Sequence, residues 1–345
     1  MITKIIAEAE IQKVKKHIGY VDKIVIVTHI SPDGDAIGSS LGLYHFLLEM
    51  DKQVNVIVPN DFPEWLKWMK GANDIIIHEK NMQIAEETIA AAELIFCLDF
   101  NVLKRIEKVG PLVKQAKAKK VMIDHHLEPE DFCNVTMSYP QIASTSEMIF
   151  RFICRMGYFE YLNKKCAECI YTGMMTDTGA FTFNSNNAEI YYIIGELIKK
   201  GIDKDKIYAL VYNTSSIDRL KLQGYVLYEK MKVFPELKTT LITLSQSELD
   251  KFNYQKGDAE GFVNMPLSSN EVVFSALIKE EKGYVKISLR SKGKFPCNGF
   301  AATHFNGGGH LNAAGGEYFG SLKNAVKHFE EVLPQYEKLL LKNFD

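Results

Sequence analysis

The chain has 345 residues, 46% of them hydrophobic and 24% charged, with 41 basic against 43 acidic side chains and a formal net charge of -2. That length favours two domains over one, and that composition excludes a disordered chain. The near-neutral balance excludes a global attraction to nucleic acid or to an anionic membrane, so any polyanion has to be held by a local site.

Residues 1–20 carry lysines and glutamates without the apolar centre of a signal peptide, and no stretch is long enough to cross a bilayer, so a cytoplasmic location is expected. From residue 23 the pattern alternates between strand and helix, the signature of a doubly wound, mostly parallel sheet. Strands are expected at Lys23 to Thr28, Gln53 to Val58, Asp74 to Ile77, Leu94 to Leu98 and Lys120 to Ile123, with a helix over Asp35 to Met50. Trp65 and Trp68 stand one helical turn apart, which reads as a packing stripe rather than as a base-stacking pair. The basic run Lys114 to Lys120 reads as a solvated face. The six cysteines make no disulfide framework, and Cys166 and Cys169 fall in a helical run (LNKKCAECIYTGMM) that suits buried thiols better than a zinc site.

The polar run Asn184 to Asn187 caps a helix over Ala188 to Lys200, which Gly201 ends. Helical patterns over Lys204 to Tyr212 and Ile217 to Met231 follow, and beyond them the character changes. TTLITL is strand-like, Val272 to Ile278 and Tyr284 to Leu289 read as a hairpin turning near Gly283, and an amphipathic helix covers Leu322 to Leu341. The expected division is a catalytic α/β domain over 1–187, a helical connector over 188–235 and a smaller α/β domain over 236–345.

The informative feature is where the strands end. KIVIVT runs into His29, with Asp33 and Asp35 in the next loop; LIFCL runs into Asp99; KVMI runs into Asp124, His125 and His126. Ligands of an open parallel sheet bind outside the carboxyl ends of its strands, so these strands deliver carboxylates and imidazoles to one edge. Asp177, in TGMMTDTGAF, joins them if Gly173 and Gly179 bracket a turn that aims it there. Each residue alone reads as a turn or a helix cap; together they read as a site for divalent metal, since like charges pressed together require a cation. A nitrogen and oxygen donor set without thiolate suits manganese, iron, zinc or magnesium, with manganese favoured. In the second domain, Gly307, Gly308 and Gly309 read as an anion nest to which His310 and Arg290 add charge-assisted bonds.

HISPDGD, the strand-end Asp99, the tripeptide Asp124-His125-His126 and the Asp177 segment, followed by SLRSKGKFPCN and FNGGGHLNAAGG, resemble the DHH phosphoesterases with a C-terminal DHH-associated domain, in the RecJ-like branch. The resemblance spans nearly the whole chain. It implies two metal ions, one held by His29, Asp33 and Asp99 and the other by Asp35, Asp99, His125 and Asp177. It also implies that His126 faces the substrate phosphate, with Asp124 orienting the histidines and Asp99 bridging. Within that branch the layout is similar to small bacterial proteins that degrade very short RNAs and remove the 3′-phosphate of 3′-phosphoadenosine 5′-phosphate (pAp). The implied substrate is short RNA or a nucleotide rather than a long duplex or a membrane; a homodimer is left open. The rival readings are an exopolyphosphatase or pyrophosphatase and a nucleotide-binding module without catalysis. The loop Asp258 to Asn264 (DAEGFVN) is assigned no catalytic role.

Overall fold

The computed structural model describes residues 3–342, which divide into two compact units, Met1–Thr214 and Ser215–Asp345. Among the described residues no helix is long and apolar enough to cross a membrane.

The first unit is built on six strands: β1 (Lys23–Val27), β2 (Gln53–Val58), β3 (Ile76–Ile77), β4 (Leu94–Leu98), β5 (Lys119–Asp124) and β6 (Val135–Ser138). They lie in the order β3-β2-β1-β4-β5-β6, and every pair is parallel. Ile24, Ile26, Phe96 and Ile123 face one core while Val25, Val27, Ile95 and Cys97 face another. A sheet buried on both faces needs such unbroken apolar strands, which is why they were legible as runs rather than alternations. The helices are α1 (Glu8–Gly19), α2 (Gly34–Leu48), α3 (Met82–Ala90), α4 (Val109–Gln115), α5 (Thr145–Met156), α6 (Lys164–Asp177), α7 (Ala188–Lys199) and α8 (Lys204–Tyr212). Ala85, Ile89, Val109 and Val113 of α3 and α4 fill the smaller core; the other helices cover the opposite face. The sheet is therefore doubly wound.

Several expectations change. The strand expected from Asp74 keeps only two residues, because Ala72–Asp74 forms a 3₁₀ turn. Lys120 is not solvated: it is buried, and its ammonium donates to the carbonyls of Ala116 and Ala118 at 2.7 and 3.2 Å, beyond the end of α4. Gly173 lies inside α6 rather than in a turn, and Asp177 is that helix's last residue. Ile190, Ile193, Leu197, Ile207 and Val211 of α7 and α8 join the first unit's main core. Residues 188–235 are thus divided between the units instead of standing apart. Trp65 and Trp68 pack on the same core, and both Cys166 and Cys169 are buried.

α2 and α6 approach so closely that two glycines are obligatory. A Cβ on Gly38 would lie 2.7 Å from the Cys169 carbonyl oxygen and 2.8 Å from the Gly173 nitrogen, and one on Gly173 would meet the Ser146 hydroxyl and come within 2.9 Å of Asp35. Since α2 carries Asp35 and α6 carries Asp177, this contact sets the separation of two candidate ligands. Gly38→Val is expected to cost about 3 kcal/mol, the upper range for forced overpacking, and to weaken metal binding in the fraction that folds. Urea unfolding with and without added Mn²⁺ measures both; an unshifted midpoint would show that the helices have room to part.

The second unit begins with α9 (Ile217–Tyr225), which ends earlier than expected because a π-turn, Val226–Lys230, follows it. Its sheet comprises β7 (Met231–Phe234), β8 (Thr239–Leu244), β9 (Phe274–Glu281), β10 (Tyr284–Ser291), β11 (Gly308–His310) and β12 (Ala313–Tyr318), ordered β11-β12-β10-β9-β8-β7. The β9–β10 hairpin turns at Gly283, with φ of 89°. α10 (Gln246–Lys251) follows β8, α11 (Cys297–His304) lies between β10 and β11, and Leu333–Tyr336, a 3₁₀ turn containing Pro334, breaks the expected terminal helix into α12 (Leu322–Val332) and α13 (Glu337–Leu341). Phe300, Phe329 and Leu340 pack on Phe274, Ile287 and Leu289. The opposite face of β8 and β9 is covered by Leu222, Leu249 and Phe262, which leaves that face of β10, β12 and β11 open.

Candidate metal centre

The chain leaves β1 for β2 and β3 on one side and returns to β4 on the other, so the switch point of the sheet lies between β1 and β4. His29 follows β1, Asp99 follows β4, and Asp124 ends β5 ahead of His125 and His126. Asp33 caps the N-terminus of α2, its Oδ1 accepting the amides of Asp35 and Ala36, each at 3.0 Å. Asp35 lies in the first turn of α2 and Asp177 closes α6.

These residues form three interlocking groups, each with donor atoms within 4.8 Å of one another: His29, Asp33 and Asp99; Asp35, His125 and Asp177; and Asp99, His125 and His126. Asp99 belongs to two of them. Its Oδ2 lies 3.3 Å from His29 Nε2 and its Oδ1 3.5 Å from His125 Nε2. His29 Nε2 lies 3.8 Å from Asp33, and His125 Nε2 lies 3.6 Å from Asp177.

The supporting contacts fix which atoms face inward. His29 Nδ1 lies 2.8 Å from the Ile30 carbonyl and His125 Nδ1 lies 3.2 Å from that of Ile142, so each ring donates from Nδ1 and turns Nε2 toward the cluster. Asp35 accepts the amides of Thr145 and Ser146 at 2.6 and 2.8 Å, the N-terminus of α5 serving as an anion site. The Thr145 hydroxyl donates to Asp99 at 2.9 Å. Asp124, fully buried, accepts the His126 backbone amide at 3.1 Å and its Nδ1–H at 2.8 Å.

Burial and the neighbouring carboxylates Asp99 and Asp177 push Asp35 well above the ordinary range. Burial also pushes Asp177 up to about 7, with Asp99 and Asp33 adding to it and His125 opposing. Burial works against a charged His29, but Asp99 and Asp33 outweigh it and hold the imidazole at about 9. Such a concentration of negative charge in a dry site is what a divalent cation neutralises. The donors are nitrogen and oxygen, they sit in adjoining groups, and the rings are oriented by backbone carbonyls, so these residues fit divalent metal.

Arg290, Gly307, Gly308, Gly309 and His310 come together in the second unit, where they line a cleft of about 660 Å³ with Tyr284, Lys286, Ser288 and Glu317. That volume suits a small ligand. The glycines are not a nest, however: Gly308–His310 is an edge strand paired with β12. A Cβ on Gly307 would fall 2.0 Å from the Gly315 carbonyl oxygen, so Gly307 is required by close strand approach. At Gly308 nothing stands within 4 Å of a Cβ, so the fold does not demand glycine there.

Sequence reasoning missed Thr145, Ser146 and Arg105. Arg105 sits in the 3₁₀ turn Leu103–Ile106, with Nη1 2.9 Å from His126 Nε2 and 3.4 Å from the Asp99 carbonyl oxygen. No spacing marks it; only the turn at Asp99, where φ is 63°, brings it back to the cluster.

Residues 23–174 match the model of the DHH family N-terminal domain, and residues 229–335 that of the DHHA1 domain. Among curated relatives, the Bacillus subtilis bifunctional oligoribonuclease and PAP phosphatase NrnA is 25% identical over 299 residues, covering 86% of this chain and 90% of the relative. The Thermus thermophilus protein of the same description is 29% identical over 293 residues, covering 85% and 83%. A Bacteroides fragilis structure described as an exopolyphosphatase-related protein shares 59% identity with a TM-score of 0.97 over 98% of this chain and 99% of that one. RecJ from Thermus thermophilus in complex with Mn²⁺, at 12% identity and a TM-score of 0.52 over 96% of this chain and 54% of that one, shows a shared fold. Two domain models in the order of the two structural units place the chain in the DHH family, with a C-terminal DHHA1 domain.

Proposed function

We propose that the protein is a phosphoric ester hydrolase that cuts short oligoribonucleotides and linear dinucleotides, removes the 3′-phosphate of pAp, or does both. The observation that carries this reading is Asp99, whose two carboxylate oxygens face different histidines in adjoining groups. In this reading His29, Asp33 and Asp99 would hold one divalent ion and Asp35, Asp99, His125 and Asp177 the other, manganese being the favoured metal. Two such ions would supply an activated water at neutral pH and charge neutralisation for in-line displacement at phosphorus. Around it, Asp124 fixes His126, while the amides of Thr145 and Ser146 and the Thr145 hydroxyl hold Asp35 and Asp99 in place. No side chain needs to act as a covalent nucleophile.

The substrate range rests on the NrnA relatives, whose description joins oligoribonuclease to PAP phosphatase. We assign hydrolysis to the first unit and nucleotide binding to the cleft of the second, with Arg290, Gly308 and His310 as contacts. The six free cysteines accord with a cytoplasmic setting. The Bacteroides fragilis relative's description keeps exopolyphosphatase as the second reading.

Purified protein loaded with Mn²⁺ and assayed against pAp, RNA of two to five nucleotides, linear dinucleotides, pyrophosphate and polyphosphate separates them. Turnover of pAp or short RNA that chelation abolishes is expected. Turnover of polyphosphate alone would replace this reading with the second, and no turnover of any substrate by Mn²⁺-loaded protein would favour a binding module.

A further inference from the structure

Arg105 has no place among the metal ligands, yet it is held against them. Its backbone carbonyl accepts the Ile30 amide at 2.8 Å, which ties its turn to the loop carrying His29 and Asp33. Its Nη1 lies 2.9 Å from His126 Nε2. A guanidinium only donates, so Nε2 has to accept, and the ring proton sits on Nδ1, where Asp124 Oδ1 receives it at 2.8 Å. The order Asp124, His126, Arg105 is thereby fixed by hydrogen-bond direction. In it His126 has no Nε2 proton to offer a phosphate, and the positive charge at the outer end of the relay belongs to Arg105.

Arg105 is half-buried in a neighbourhood crowded with carboxylates, yet among the described residues no carboxylate lies within ion-pair distance of it. Its contacts are an imidazole and the Asp99 carbonyl, both through Nη1, which leaves the other arm of the fork unspent. A planar guanidinium held on one side and open on the other matches two oxygens of a phosphoryl group.

We propose that Arg105 is a catalytic residue, donating to a non-bridging oxygen of the scissile phosphate as negative charge grows there, and that His126 is a positioning residue that aims it. This rests on the phosphoesterase reading above. It moves the phosphate contact implied for His126 to its neighbour, because the imidazole lone pair that would otherwise face substrate is spent on the guanidinium.

The test uses full-length, Mn²⁺-loaded protein with Arg105→Ala, Arg105→Lys, His126→Ala and the double variant, on pApA and on bis(p-nitrophenyl) phosphate. Arg105→Ala should lower kcat on both by on the order of 10²–10³ with KM within a few-fold and Mn²⁺ stoichiometry unchanged. Lysine should restore little, guanidinium ion in the buffer should restore part, and the double variant should be no worse than Arg105→Ala alone, as groups acting in one relay are not additive. A kcat within three-fold of wild type would overturn the proposal, as would loss of Mn²⁺ in Arg105→Ala, or multiplying effects in the double variant. Inorganic phosphate binding to the Mn²⁺-loaded protein, measured by calorimetry, keeps the inference separate from the enzymatic reading. If wild-type protein hydrolyses nothing, that reading fails. Arg105→Ala must still weaken phosphate at least ten-fold, and unchanged phosphate affinity sinks the role of Arg105.

Discussion

Asp99→Asn should abolish phosphoesterase activity, lowering kcat on any substrate by on the order of 10⁴ or more, the scale of losing one member of a group that acts as a unit. Asparagine has the shape of aspartate and tolerates the positive φ of 63° found at this position, so the backbone turn that returns Arg105 to the cluster is retained. What changes is charge. Asp99 faces His29 at 3.3 Å and His125 at 3.5 Å, and a neutral amide cannot offer two anionic oxygens to two cations. Mn²⁺ stoichiometry and turnover should therefore fall together.

The same substitution separates metal binding from fold stability. In metal-free protein Asp99 raises Asp35 and Asp177, but it also holds His29 charged and is itself held below the ordinary range by His29, His125 and His126, so its removal relieves a repulsion and loses a buried attraction. Mn²⁺ should then stabilise wild type strongly and the variant weakly, as expected when ligand binds only the folded state. A variant that keeps two ions and a wild-type Mn²⁺ stabilisation would remove Asp99 from the bridging position.

The strand ends make this residue visible in the sequence alone. Apolar runs that stop at His29, Asp99 and Asp124 can be read because a doubly covered parallel sheet needs continuous hydrophobic strands and leaves its ligands at their carboxyl ends. Asp177 reaches the cluster by another route than the turn its flanking glycines suggest. Gly173 lies inside α6 and is small because Ser146 of α5 and Asp35 of α2 press against it. A glycine required by a neighbouring helix and one required by a turn look alike in a sequence. Gly307 and Gly308 show the same ambiguity in the second unit, one forced by the approach of Gly315 and the other facing open space. Thr145 and Arg105 were illegible for a different reason. Their roles arise from contacts across 46 and 21 residues of chain, and no local period or spacing records such a contact. α7 and α8 are amphipathic helices like any other, and only the core they join shows which unit they pack in.

Arg290→Ala should raise KM for pAp or a dinucleotide by about 10–100-fold, the range of one or two charge-assisted bonds to phosphate, while leaving kcat within a few-fold. Alternate residues of β10 share one face of the sheet, so Arg290 stands in line with Ser288 and Lys286 along the cleft. Its Nη1 donates to the Leu289 carbonyl at 2.9 Å, and burial pulls its guanidinium below the usual arginine value. Half-buried and partly tethered, it is organised before a phosphate arrives. Bis(p-nitrophenyl) phosphate, which has no nucleotide for the cleft to hold, should lose far less. That contrast separates a binding contact in the second unit from a ligand or catalytic group in the first, where Asp99→Asn should damage both substrates alike. Gly308→Ala supplies the matching steric probe: the fold has room for a Cβ there, so stability should hold while the added methyl narrows the cleft and KM for nucleotides rises. Equal losses on the minimal diester and on pAp in either variant would mean that the cleft does not bind the nucleotide, and substrate selection would have to be sought among the residues surrounding Asp99 instead.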